Sequence, residues 1–257
     1  MRGWRDATTR EVFVVDHDPS SYGRRIASAY DDMYVSLPTD DAISALVDLA
    51  AGGPVLEFGI GTGRLGLPLV QRGLTVHGVD GSPDMVAQLR EKPGGADIPV
   101  EVGDFADTST GSTYALVLLA FHTIFALPSQ EAQVACFRNA AEHLRPAGRF
   151  VVEAWVPDLG RFRTGQAVAV LAVDEDSVVL EAAAVYPAQQ TMTTTKVRLG
   201  AGGVQLFPAN HRYAWPAELD LMARLAGLTL EHRWADWRRT PFRDDSRTHV
   251  SVYRKPA

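Results

Sequence analysis

The chain has 257 residues, of which 46% are hydrophobic and 22% charged, a globular composition that excludes a disordered or fibrous protein. Lys and Arg total 25 against 31 Asp and Glu, a formal charge of −6 that argues against a nucleic-acid or anionic-membrane partner. A single cysteine, Cys136, excludes an internal disulfide and a thiolate metal cage.

Met1 to Ser20 scatter charges through every window and hold no apolar h-region, so no signal peptide is expected. The most apolar stretch, Tyr114 to Leu127, has 14 residues broken by His122 and Thr123, too short to span a bilayer. The expectation is a soluble, cytoplasmic protein whose opening segment, through about Asp18, is loosely held.

From Tyr22 the periodicity turns helical, with Tyr22, Ile26, Ala29, Tyr30 and Met33 at three- and four-residue steps. A second helix follows from Asp40 and stops at Gly52-Gly53-Pro54. Short apolar runs then alternate with amphipathic ones. Val55–Phe58 is a strand, Arg64–Gln71 a helix and Leu74–Val79 a strand. Ser82-Pro83 starts the next helix, with a serine cap and proline at its first position. Pro99–Val102 and Tyr114–Ala120 are strands, Ser129–Leu144 a helix closed by Arg145-Pro146-Ala147-Gly148, and Arg149–Trp155 the fifth strand. This alternation predicts βαβ units and a mainly parallel sheet, an α/β doubly wound fold. After Pro157 the runs Gln166–Val173, Ser177–Tyr186, Thr191–Leu199 and Gln205–Tyr213 predict an antiparallel β insert. A helix from Trp215 to about Ala226 and strands Leu228–Ala235 and His249–Tyr253 complete the chain. The division expected is an N-terminal helical segment (1–50), a ligand-binding core (51–156), the insert (157–215) and a C-terminal part completing the core (216–257).

The central motif is Glu57-Phe58-Gly59-Ile60-Gly61-Thr62-Gly63-Arg64. Three alternate glycines after a strand let the backbone turn sharply and approach a ligand without Cβ interference, and the next helix points free N–H groups at it. Two acids add specificity. Asp80 ends the second strand, where a carboxylate can accept both hydroxyls of a ribose. Asp104, in Gly103-Asp104-Phe105, follows the third strand, placed to accept a purine amine. Together they describe an adenosine crevice. Gly61-Thr62-Gly63-Arg64-Leu65-Gly66 also fits the dinucleotide fingerprint, so an NAD(P)-dependent oxidoreductase is an alternative. Glu57 counts against it, because a carboxylate beside the loop repels a pyrophosphate and suits the cationic amino acid end of S-adenosylmethionine.

The ordered pieces Glu57–Gly63, Val79-Asp80-Gly81-Ser82-Pro83-Asp84-Met85, Gly103-Asp104-Phe105 and Leu144–Phe150 resemble the class I S-adenosylmethionine-dependent methyltransferases over about Ala50 to Trp155. The resemblance implies a Rossmann-like seven-stranded sheet and S-adenosyl-L-methionine as cofactor. It implies a donor site of Tyr22, Tyr30, Glu57, Gly59, Gly61, Gly63, Asp80, Gly81, Met85, Asp104, Phe105 and Ala120, with the Phe105 amide reading the adenine. Ala147 stands where the family commonly has glycine, and no functional consequence is expected. Tyr22, Tyr30-Asp31 and the insert are similar to the small-molecule branch that includes nucleotide-sugar N-methyltransferases. The segment Phe121-His122-Thr123 departs from that branch, whose histidine comes slightly later.

Methyl transfer is an in-line displacement that asks for alignment and exclusion of water, with a base only where the acceptor needs one. His122, on the rim after the fourth strand, is the first candidate base or orienter, with Tyr22 and His211 as further catalytic candidates. Glu153 could bind an acceptor amine or be merely solvated, and Tyr213 could face the acceptor. His77 and His143 read as structural, Cys136 as core. The arginines from Arg233 to Arg247 read as a salt-bridged surface or oligomer contact. The partner expected is a small-molecule acceptor, with no nucleic acid, membrane or metal, and a homodimer stands beside a monomer as an open alternative. The acceptor atom, nitrogen, oxygen or carbon, stays open, as does a non-catalytic donor-binding role.

Overall fold

The computed structural model describes residues 20–34 and 38–257. The expectation for the opening segment lies outside the described residues. Helix α1 (Ser21–Tyr34) and α2 (Asp40–Ala50) precede β1 (Val55–Phe58), α3 (Gly66–Gln71), β2 (Val76–Asp80), α4 (Pro83–Glu91), β3 (Val100–Val102) and β4 (Tyr114–Leu119). Then come α5 (Gln130–His143), β5 (Leu144–Trp155), β6 (Gln166–Val173), β7 (Ser177–Tyr186), β8 (Thr191–Gly200) and β9 (Gly203–Arg212). The chain closes with α6 (Pro216–Leu225), β10 (Thr229–Trp234) and β11 (Thr248–Arg254).

Seven strands form one sheet in the order β10-β11-β5-β4-β1-β2-β3, parallel except for β11, which runs antiparallel to both β5 and β10. Strands β1 and β4 are buried along their whole length, β4 as a continuous apolar run covered on both faces and β1 as an apolar run interrupted by Glu57 alone. One face packs Leu56, Phe58, Val117 and Val152 against α5 and α6 through Phe137, Ala140, Leu219 and Met222. The other packs Val55, Leu116, Leu118 and Val151 against Ile43, Leu46 and Leu49 of α2 and Leu69 of α3. The fold is doubly wound. Because β1 continues to β2 on one side and is flanked by β4 on the other, the carboxyl ends of β1 and β4 border a crevice at the switch point, the usual ligand position in an open α/β sheet.

Strands β6–β9 form a separate four-stranded antiparallel sheet. Among the described residues no helix is long and apolar enough to cross a membrane.

Several boundaries move by one or two residues from the sequence reading, and two of the shifts have a specific cause. Helix α3 starts at Gly66 rather than Arg64, because Arg64 belongs to the turn that the third loop glycine opens. Strand β5 starts at Leu144 rather than Arg149 because Leu144 pairs with Tyr114 of β4 and the C-terminal segment holds the residues between Leu144 and Arg149 in place. Ala147 N–H donates to the Pro256 carbonyl (3.2 Å), Lys255 N–H donates to the Gly148 carbonyl (2.9 Å), and Lys255 Nζ donates to the Ala141 and Leu144 carbonyls (2.7 Å each). Ala147 pays a local strain for this path, with φ at 61°.

Candidate active site

The glycine loop turns immediately after β1. Gly59 (φ 67°) and Gly61 (φ 56°) both adopt left-handed backbone. A Cβ on Gly59 would lie 2.8 Å from Thr123 Cγ2, so only glycine lets the segment after β4 close against the loop. Asp80, buried at the end of β2, ties two pieces together. Its Oδ2 accepts from Gly61 N–H (2.7 Å) and its Oδ1 from Ser82 N–H (2.8 Å). Burial raises its pKa, and the two amide donors oppose the rise. Gly81 bends the chain between Asp80 and Ser82, which caps α4 by accepting from Met85 N–H (3.3 Å).

Glu57 lies beneath the loop, fully buried, with its Oε2 lacking a hydrogen-bond partner. Burial pushes its pKa up to about 8; the Arg64 charge opposes the rise, the Asp80 charge adds to it and the Gly66 N–H opposes it. A neutral acid with an orphaned acceptor is an incomplete site, and a cationic group is the partner that would complete it.

Helix α1 lies across the start of α4. A Cβ on Gly23 would meet Ser82 Oγ at 2.1 Å, so the helix backbone presses directly on the α4 cap. Asp31 fastens the far end of α1: its Oδ1 accepts from Thr62 Oγ1 (2.7 Å) and its Oδ2 pairs with Lys92 Nζ (2.6 Å). Lys92 also donates to the Thr62 carbonyl (2.7 Å), so α1 is latched to the glycine loop itself. Tyr30 leans on Tyr34 with ring centroids 4.8 Å apart. Burial pushes its hydroxyl up to about 12, opposed by the charge and hydrogen bond of Arg64. The side chain of Tyr22 lies outside the described residues.

The rim after β4 is strained. Phe121 (φ 54°) and His122 (φ 64°) are consecutive non-glycine residues in the left-handed region. Glu153 on β5 over-determines that conformation. Its carbonyl accepts from His122 N–H (3.0 Å), its Oε2 accepts from Phe121 N–H (2.8 Å), and its Oε1 accepts from Trp237 Nε1 (2.8 Å). Both carboxylate oxygens of Glu153 are therefore engaged in positioning the rim.

His122 Nδ1 is buried without a partner, and burial pushes the ring down to about 4, helped by the charges of Arg64 and Lys196. His211, on β9, is likewise pushed down to about 4 by burial, then by His122 and Lys196. Its Nε2 lies 3.3 Å from Thr194 Oγ1. The two imidazoles thus belong to one electrostatic neighbourhood, and both are neutral at physiological pH.

Arg64 lies over the Phe121 ring at 4.7 Å, Tyr34 meets that ring edge-on at 5.0 Å, and Lys196 Nζ donates to the Tyr34 hydroxyl (2.7 Å). Helix α1, the rim and the insert therefore meet over the glycine loop. Sequence reasoning missed Arg64, Phe121, Tyr34 and Lys196. Arg64 and Phe121 stood inside quoted motifs, whereas nothing local marked Lys196 as inward-facing.

Other predicted positions fall nearby with different surroundings. Met85 is buried against Ile26 and Ala27 of α1, and Ala120 is buried where β4 ends. Asp104 Oδ1 accepts from Ala106 N–H (2.8 Å). The Phe105 ring stacks on Phe58 at 6.1 Å in the core. Tyr213 is buried against Trp155 and Met192. His77 contacts the Tyr114 hydroxyl (2.8 Å) and His143 accepts from Thr110 N–H (3.0 Å), both internal partners. Arg233, Arg239 and Arg247 pair with Asp220, Asp48 and Asp158.

Residues 55–148 match a family model described as a methyltransferase domain. The chain is 30% identical over 215 residues to the cypemycin N-terminal methyltransferase of a Streptomyces species, spanning 82% of this chain and 88% of the relative. The chain belongs to the class I S-adenosylmethionine-dependent methyltransferases. The methyltransferase also superposes on the CcbJ methyltransferase from Streptomyces caelestis with a TM-score of 0.87 and 42% identity, covering 93% of this chain and all (100%) of that one. It shares its fold with an amino pentose methyltransferase of calicheamicin biosynthesis from Micromonospora echinaspora (TM-score 0.68, 22% identity, 88% and 96% coverage). This membership sets aside the nicotinamide alternative for the methyltransferase.

Proposed function

We propose that the methyltransferase N-methylates a small molecule carrying a neutral amine, in secondary metabolism. The observation that carries this reading is the basicity of the rim. His122 and His211 are both held near 4 by burial. Such imidazoles accept a hydrogen bond well but are feeble bases at neutral pH. A neutral amine needs only alignment, since its lone pair is already available, whereas an alcohol must lose a proton during attack. The charges of Arg64 and Lys196 near His122 also disfavour a protonated amine at the rim. The names of the relatives agree with an amine acceptor.

The residues present fit the donor. S-adenosyl-L-methionine, when bound, supplies a methyl group on a positively charged sulfonium leaving group. Glu57, neutral and orphaned in the free protein, would hold a cationic group near the glycine loop. Asp80 uses two acceptor positions on Gly61 and Ser82, and a carboxylate has about four, which leaves two for the ribose diol. Asp104 and the backbone of Phe105 would read the adenine, and Tyr30 with the latched helix α1 would exclude water. His122, fixed by Glu153, and His211 would orient the acceptor nitrogen.

The test is transfer of an isotope-labelled methyl group to a panel of primary and secondary amines and their alcohol isosteres, followed by mass spectrometry. Methyl on nitrogen is expected. Methyl found on oxygen alone, or donor binding with no transfer to any acceptor in a producing-cell extract, would overturn the proposal.

A further inference from the structure

A buried glutamine joins the insert to the core. The buried face of α5 starts at Gln133 and continues with Cys136, Phe137 and Ala140. A buried amide is destabilising unless its polar atoms are paired, and Gln133, fully buried, uses its acceptor and its amino group. Its Oε1 accepts from Arg212 Nη1 (2.6 Å), and its Nε2 donates to the Arg212 carbonyl (2.7 Å) and to the Ile124 carbonyl (3.1 Å). Arg212, also buried, ends β9 directly after His211. Its Nη2 pairs with Glu218 Oε1 on α6 (2.6 Å) and donates to Gln190 Oε1 just before β8 (3.4 Å). Glu218 accepts in turn from Gln130 Nε2 (2.7 Å) and Gln190 Nε2 (2.8 Å), so the ion pair carries the additional hydrogen bonds that burial demands.

Ile124 lies in the short turn Thr123–Ala126, where Phe125 N–H donates to the His122 carbonyl (2.9 Å). One side chain on α5 thus grips both the turn that follows His122 and the residue that follows His211. Successive side chains of a strand point to opposite faces. An Arg212 turned into this network therefore leaves His211 turned the other way, where its Nε2 lies 3.3 Å from Thr194 Oγ1 and its ring meets Trp155 edge-on at 6.4 Å. Trp155 also packs on Phe125 of the turn at 4.5 Å, a second contact between the same segments. An apolar side chain of the same length would fill the space on α5 but hold neither carbonyl. We infer that Gln133 and Arg212 are positioning residues for methyl transfer, fixing the separation of His122 and His211 on the acceptor side. The inference rests on the reading of those imidazoles as groups that orient the acceptor. In an aligned displacement a misplacement of about 1 Å lowers the rate about a hundredfold, which is what such a brace prevents.

Carbon-13 spectra of the histidine rings of the full chain, recorded from pH 5 to 8, test this without an acceptor. The two rings are assigned by His122→Asn and His211→Asn. In the wild type neither is expected to show a midpoint in that window, since both titrate near 4. Gln133→Met keeps the length and leaves Arg212 paired with Glu218. Loosening the insert hydrates the imidazoles, so in this variant both midpoints are expected to enter the window, moving toward 6.5. Gln133→Asn, a methylene shorter, is expected to do the same and is read where the methionine variant no longer binds S-adenosylhomocysteine. With an amine found by the panel above, Gln133→Met is expected to raise the KM for that amine about tenfold and to leave the KM for S-adenosyl-L-methionine within about twofold. A variant that melts at lower temperature while neither ring titrates in the window would reduce Gln133 to a fastening and overturn the inference. So would a wild type in which either ring titrates there, or an unchanged amine KM. A panel that yields no amine overturns the reading of the reaction instead, and the titrations still decide the spacing.

Discussion

Replacing Glu57 by glutamine isolates the buried acid under the glycine loop. In the folded protein burial holds its pKa at about 8, against 4.5 for a free carboxyl. The folded state therefore binds more protons than the unfolded state between those values, and stability falls as pH rises through the window. For the ligand-free wild type the loss between pH 5 and 8 is about 3–4 kcal/mol, or on the order of 10 °C in melting temperature for a chain this size. Glu57→Gln keeps the shape, cannot ionise, and removes that slope. Adding S-adenosylhomocysteine should reverse the trend in the wild type, because its ammonium favours the ionised acid, while the variant binds more weakly and without pH dependence. Differential scanning fluorimetry of both proteins from pH 5 to 8, with and without ligand, measures all four slopes. Parallel ligand-free curves for wild type and variant would refute the reasoning.

Four further outcomes follow from the geometry. His122→Asn, which tolerates left-handed backbone, should lower kcat about tenfold, and the wild-type kcat–pH profile should show no acid limb near 6.5 because the ring titrates near 4. Glu153→Gln turns an amide donor toward Phe121 N–H or Trp237 Nε1, and urea unfolding should register a loss of about 1–3 kcal/mol. Asp31→Ala breaks a latch that is half exposed, so its unfolding free energy should change by less than about 1 kcal/mol, whereas stopped-flow release of S-adenosylhomocysteine should speed up several-fold. Ala147→Gly relieves a left-handed alanine and should raise stability by about 0.5 kcal/mol, visible as a small rise in melting temperature.

Much of the fold was legible because its signals are local. An uninterrupted apolar run marked β4, Val55, Leu56 and Phe58 ahead of the glycine turn marked β1, and turn residues bounded β6 and β7 at the residues observed. The loop glycines and Asp80 were legible for the same reason, since strand, turn and acid follow one another in the chain. What escaped depends on partners far apart in sequence. Glu153 reads as a free carboxylate until Phe121 and Trp237 are placed beside it. Lys196 reads as a solvated strand residue until register turns it toward Tyr34, 162 positions away. The Asp31 latch needed Thr62 and Lys92 to converge across the top of α4. The early start of β5 depends on Lys255 near the other end of the chain.

The central claim is that the loop held by Asp80 grips the adenosyl group. Isothermal titration of S-adenosylhomocysteine into the wild type and Asp80→Asn tests it most directly. The account predicts one site per chain in the wild type and at least a hundredfold weaker binding in the variant, with the fold retained; equal affinity in the two proteins would contradict it.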